Sequence, residues 1–123
     1  MIEKLLGTTI SSIKLENNKL LLEFKKRDWG PFKKLTIYDD GQSCCEDRFM
    51  ETDDDLSSYV GQELRGFVLK PVPDEQGDWE VKECQFLEIH TDKGFITIKN
   101  YNIHNGYYSG FDLAFNIEEN SND

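Results

Sequence analysis

Residues 13–24 read I-K-L-E-N-N-K-L-L-L-E-F. Ile13 and Leu15 alternate with Lys14 and Glu16, Asn17-Asn18 tolerates left-handed turn backbone, and Leu20, Leu22 and Phe24 resume on one face. Period-two alternation on both sides of a two-residue turn predicts a β-hairpin. Working outward, Met1–Leu6 suits either a single helical turn ended by Gly7 or half of an edge strand. On the other side, Trp29-Gly30-Pro31 makes a turn before a third strand, Phe32–Tyr38, which Asp39-Asp40-Gly41 closes.

The same grammar continues. Ser43–Thr52 suits a strand. Residues 52–61, T-D-D-D-L-S-S-Y-V-G, carry acid at the start, apolar Leu56, Tyr59 and Val60, and a terminal glycine, which predicts a short helix capped at both ends. Glu63–Leu69 is expected as strand, Pro71–Asp78 as a loop, and Trp79–His90 as a long strand. Asp92-Lys93-Gly94 turns the chain into an alternating run from Phe95 to Lys99, and Phe111–Phe115 is a last strand. No segment is long enough for a helical crossover, so the sheet is expected to be antiparallel. The expected fold is mainly β (α+β), one β-rich domain over residues 1–117 with an acidic flexible tail at 118–123.

Charge narrows the partners. Residues 1–34 hold eight Lys/Arg against four Asp/Glu, and residues 35–123 hold six against twenty, giving −10 overall. Such a surface repels a phosphate backbone, so polymeric DNA or RNA is a poor partner. Lys25, Lys26, Arg27, Lys33 and Lys34 gather around Trp29. They read as a solvated loop and a lysine-protected edge strand rather than an anion-binding patch. The longest apolar run, Leu20-Leu21-Leu22, is far too short to span a membrane, and no signal peptide is apparent.

Catalytic signatures are sparse. The three cysteines include the adjacent pair Cys44-Cys45 but form no C-x-x-C, and they read as small packing residues of a protein in a reducing cytoplasm. The run Asp53-Asp54-Asp55 lacks the alternating spacing of a calcium loop, so capping and solvation account for it better than metal binding. No nucleophile elbow, P-loop or H-E-x-x-H pattern occurs, and a lone loop histidine such as His104 is usually a hydrogen-bonding residue. Binding without catalysis, metal or cofactor is the expectation.

The richest stretch is N-I-H-N-G-Y-Y-S-G-F, residues 102–111. Rings, amides and glycine-exposed backbone together suit a pocket for a flat polar ligand, with Tyr107, Tyr108 and Phe111 as stacking candidates; the bland alternative is a tyrosine-rich loop packed on a β-rim. H-N-G-Y-Y-S-G-F from His104, D-D-G-Q-S-C-C-E-D-R-F-M-E-T-D-D-D-L from Asp39, V-G-Q-E-L from Val60 and Q-F-L-E-I-H-T-D-K-G from Gln85 resemble small proteins of phages and prophages. The chain resembles the phage anti-Thoeris sponges, which bind cyclic ADP-ribose isomers made by bacterial TIR-domain immune enzymes.

That resemblance implies a Greek-key-like β-core, a homodimer or trimer of dimers, capture of the signal without cleavage, no cofactor, and residence in the host bacterial cytoplasm. It also implies Phe95 as a stacking position and Asn105 as a polar contact. Arg48, the one arginine inside a matched motif, is the candidate for the ligand's pyrophosphate. The chain departs from the expected pattern in having no Lys or Arg after Lys99. The competing expectation is an acidic anti-defence or regulatory module that occupies a basic protein surface.

Overall fold

The computed structural model describes residues 5–25, 32–41, 46–77, 79–105 and 110–120. Asn17 and Asn18 both adopt left-handed backbone, φ 53° and 58°, as a two-residue turn between right-twisted strands requires. Strand β1 (Thr9–Glu16) accordingly folds back on β2 (Lys19–Lys25), with Leu15 opposite Leu20 and Ile13 opposite Leu22. Strand β3 (Phe32–Asp39) pairs with β2 on one side and with β8 (Leu113–Asn120) on the other. β3 is therefore an inner strand and not the lysine-protected edge expected from sequence. Lys34 lies between Glu23 of β2 and Glu118 of β8 in register, so the basic N-terminal part and the acidic C-terminal part meet as cross-strand neighbours. Residues 118–120, assigned to the tail from sequence, belong to β8.

The second sheet has the order β4-β7-β6-β5, built from β4 (Asp47–Glu51), β5 (Leu64–Gln76), β6 (Val81–Thr91) and β7 (Gly94–His104). All its pairings are antiparallel. Inward residues of both sheets form one core: Ile10, Leu20, Leu22, Phe24, Leu35 and Ile37 from the first, and Leu64, Leu87, Ile89, Ile96 and Ile98 from the second. Phe67 of β5 meets Phe115 of β8 edge-on, with ring centroids 5.9 Å apart. One side is sewn shut by backbone bonds, in which Gly7 N–H donates to Leu64 O, Leu64 N–H to Thr8 O and Ile10 N–H to Gln62 O.

Two expectations fail for identifiable reasons. The capped helix is a single 3-10 turn, Leu56–Tyr59, whose N-cap Asp55 makes no side-chain cap bond. Asp53 and Asp54 serve as a strap on β7 instead, Asp53 pairing with Lys99 and Asp54 accepting from the Thr97 N–H, while Asp55 accepts locally from the Ser57 hydroxyl. The expected loop from Pro71 is strand through Gln76. β5 is the outer strand of its sheet, and an outer strand accommodates proline because its missing N–H need not face a neighbour. The pairing with β6 shifts between Val72 and Glu75, next to Pro73. Trp79, expected to open β6, precedes it and is 90% exposed.

Candidate binding site

β7 organises the site because its two faces do different chemistry. Phe95, Thr97, Lys99 and Tyr101 alternate onto the outer face of the second sheet, while Ile96, Ile98, Asn100, Asn102 and His104 are buried on the inner face. Phe95 remains 48% exposed. Its ring stacks on His90, the residue opposite in register, at 5.1 Å and 23°, and its carbonyl accepts a bond from the Tyr59 hydroxyl at 3.0 Å. His90 is itself anchored, with Nε2 2.9 Å from Glu88 Oε1, and Lys70 lies 3.1 Å from the other Glu88 oxygen. The hydrogen bond with His90, and then Lys70, hold the Glu88 carboxyl below its usual range against the opposing effect of desolvation.

Further along the same face, Tyr101 stacks on Phe49 of β4 at 5.0 Å and 28°, and the Lys82 ammonium stands 4.7 Å from the Tyr101 ring centroid. Cys84, opposite Tyr101 in register, lines with Lys82, Lys99, Phe86 and Val72 a groove of about 200 Å³. Its thiol is free, and burial pushes it above its ordinary pKa, so it is no activated nucleophile.

The inner face becomes polar beyond Ile98. Arg48 of β4 donates to both oxygens of Asp39, at 2.7 and 2.9 Å, and to Glu46 at 2.8 Å. Desolvation opposes its charge, but the bond to Glu46 and the neighbouring Asp39 outweigh that and raise the guanidinium pKa. Asn102 donates to Glu46 at 2.8 Å and to the Gly110 carbonyl at 3.1 Å. Glu83 accepts from the Gly110 N–H and lies 2.6 Å from His104 Nε2. The side-chain oxygens of Gln85, Asn100 and Asn102 are buried without a hydrogen-bond partner.

The profile of DUF7448, a domain of unknown function, matches residues 3–113. The chain belongs to the DUF7448 family. No curated protein and no solved structure matches it. Among the described residues of this DUF7448 chain, no group of three His, Cys, Asp or Glu is placed to hold a metal ion, and no helix is long and apolar enough to cross a membrane.

Within this DUF7448 fold the expected site residues fall in three places. Phe95 opens β7 on the outer face. Asn105, exposed, follows the other end of β7, and half-buried Phe111 follows Gly110. Ten residues of strand at about 3.3 Å each put roughly 33 Å between Phe95 and Asn105, so one chain does not bring them together. Arg48 is inside, its side chain 8% exposed and ion-paired to two carboxylates. Tyr107, Tyr108, Cys44 and Cys45 lie outside the described residues, as do Lys26, Arg27 and Trp29 of the basic cluster. Sequence reading missed the outer-face row of His90, Lys82, Tyr101 and Phe49. Its signal was the alternation Phe95, Thr97, Lys99, Tyr101 continued past the expected strand end at Lys99.

Proposed function

We propose that this protein is a non-catalytic sponge for a cyclic ADP-ribose-type nucleotide, a phage-encoded anti-defence protein acting in the host bacterial cytoplasm. The observation that carries the reading is the outer face of β6 and β7. A half-exposed Phe95 ring backed by His90 lies on the same face as a groove flanked by Lys82, Lys99 and Tyr101. Preformed rings with ammonium groups nearby suit a purine and its phosphates, because stacking is insensitive to base edges and cations offset the charge. Lys82, beside the Tyr101 ring, takes the role first given to Arg48, whose guanidinium is occupied by Asp39 and Glu46, while Lys99 lines the groove paired with Asp53.

The separation of Phe95 from Asn105 fits a homo-oligomer in which the outer face of one copy meets the Asn105–Phe111 end of another. The order β4-β7-β6-β5 supports the Greek-key reading, since β5, β6 and β7 are successive antiparallel neighbours and β7 comes back beside β4, which precedes them. The binding test is a calorimetric titration of the purified protein with cyclic ADP-ribose isomers. The expected result is sub-micromolar affinity for one isomer, weakened tenfold or more in Phe95→Ala, since base stacking contributes about 1–3 kcal/mol. No heat with any isomer would remove the reading.

A further inference from the structure

Among the described residues Trp79 is the most exposed large hydrophobic side chain, at 90% against 48% for Phe95. It sits at the tip of the β5–β6 hairpin, whose last pair is Gln76 with Val81. The Gly77 N–H donates to the Glu80 carbonyl at 2.7 Å and closes the tip. A Cβ on Gly77 would come within 3.2 Å of that carbonyl, so glycine lets the chain close this tightly. Asp74, Glu75 and Glu80, on the same end of the hairpin, are exposed acids. Tryptophan is seldom left this bare on a monomer, and it is among the residues that most often anchor protein interfaces.

A groove of about 180 Å³ opens on the outer face of the first sheet, lined by Ser12 and Lys14 of β1, Leu21 and Glu23 of β2, and Lys34 and Thr36 of β3. These positions alternate with Ile13, Leu22 and Leu35, which are buried in the core. Register sets Leu21 between Lys14 and Thr36, and Glu23 between Ser12 and Lys34. β1 and β3 are two strand spacings, about 10 Å, apart, so a flat ring fits over β2 between the two lysines. Each part of an indole finds a counterpart there: Leu21 for its apolar surface, the Lys14 and Lys34 ammonium groups for its π-faces, and the Glu23 carboxylate as acceptor for its N–H. The lysines also complement the acids around Trp79; the one ion pair of Lys14, with Glu16, is exposed and 3.8 Å long. The groove faces away from the second sheet, which carries the tip, so it cannot receive the tryptophan of its own chain.

We propose that Trp79 of one copy docks in this groove of a second copy. The contact is independent of the nucleotide reading and lies away from the outer face of the second sheet. Each copy has one tip and one groove, so a reciprocal pair makes the contact twice and closes as a dimer. A tryptophan buries about 150–250 Å², and a stable complex about 1,200–2,000 Å² in all, so two tips with their flanking residues give a reversible dimer.

The experiment has two parts: sedimentation of wild type and Trp79→Ala over a wide range of concentration, and titration of unlabelled wild type into isotope-labelled Trp79→Ala followed by amide NMR. The substitution is at an exposed tip and leaves the groove intact. The wild-type mass is expected to rise with concentration from the monomer's 14.3 kDa toward that of a dimer. Trp79→Ala is expected to associate about tenfold more weakly or worse. Added wild type is expected to shift the Lys14, Leu21 and Thr36 amides of the labelled variant, and added unlabelled Trp79→Ala to leave them in place. A wild type that stays monomeric, a Trp79→Ala variant that associates as tightly as wild type, or shifts confined to the second sheet would each overturn the proposal.

Discussion

The inner face of β7 is two regions on one strand. Ile96 and Ile98 lie in the shared core against Leu87 and Ile89, while Asn100, Asn102 and His104, equally shielded from water, face Gln85, Glu83 and the Arg48 cluster. Burial alone does not separate them. What separates them is whether the contacts have direction. Apolar contacts stabilise by area and tolerate small shifts, whereas amide and carboxylate contacts fix where a neighbouring segment goes and are costly when unmade. The first region holds the sheets together, and the second aims the ends of β3, β4, β7 and β8.

Exchanging the two chemistries breaks the contrast most severely. Ile98→Asn removes a fully buried side chain and leaves an amide in the apolar region, so urea denaturation is expected to show a loss of about 3–5 kcal/mol. Asn102→Leu deprives Glu46 and the Gly110 carbonyl of a donor, with an expected loss of about 1–3 kcal/mol by the same measurement. Asn100→Leu sharpens the contrast further. Its Oδ1 has no partner and its amide donates only a long 3.3 Å bond to Gln85 O, so stability is expected within about 1 kcal/mol of wild type. A loss as large as that of Asn102→Leu would show that the polar region acts as one network.

The smallest effect belongs to the outer face. Glu88 has a depressed folded-state pKa, so its contribution is present above the ordinary carboxyl value of about 4.3 and is lost as pH falls through the folded value. Thermal midpoints of wild type and Glu88→Gln are therefore expected to converge as pH falls below the ordinary carboxyl value of about 4.3. A constant gap over that range would mean that the bonds with His90 and Lys70 do not stabilise the fold.

The β1–β2 hairpin was legible because its apolar face, its turn residues and its burial all agree. β5 was not, because two prolines signal a loop unless the strand is known to be at an edge, and edges are a property of the whole sheet. The Asp53–Asp55 run reads as a helix cap because the true partners of Asp53 and Asp54, Lys99 and Thr97, are more than forty residues away in sequence. β7 was cut short at Lys99 for a related reason. In N-Y-N-I-H the polar residues point inward and Tyr101 and Ile103 outward, the reverse of what hydrophobicity suggests, and register with Glu83 and Arg48 decides it. Arg48 was found as a notable residue, but its occupation by Asp39 and Glu46 depends on how β3 and β4 meet.

The central claim is capture without cleavage, and recovery of the captured molecule tests it most directly. The protein is incubated with the cyclic ADP-ribose isomers, freed of unbound nucleotide by gel filtration and heat-denatured, and the supernatant is analysed by chromatography and mass spectrometry. The account predicts release of one intact cyclic isomer in near-stoichiometric amount, and much less from Phe95→Ala. Release of a linear nucleotide, or of none, would contradict it.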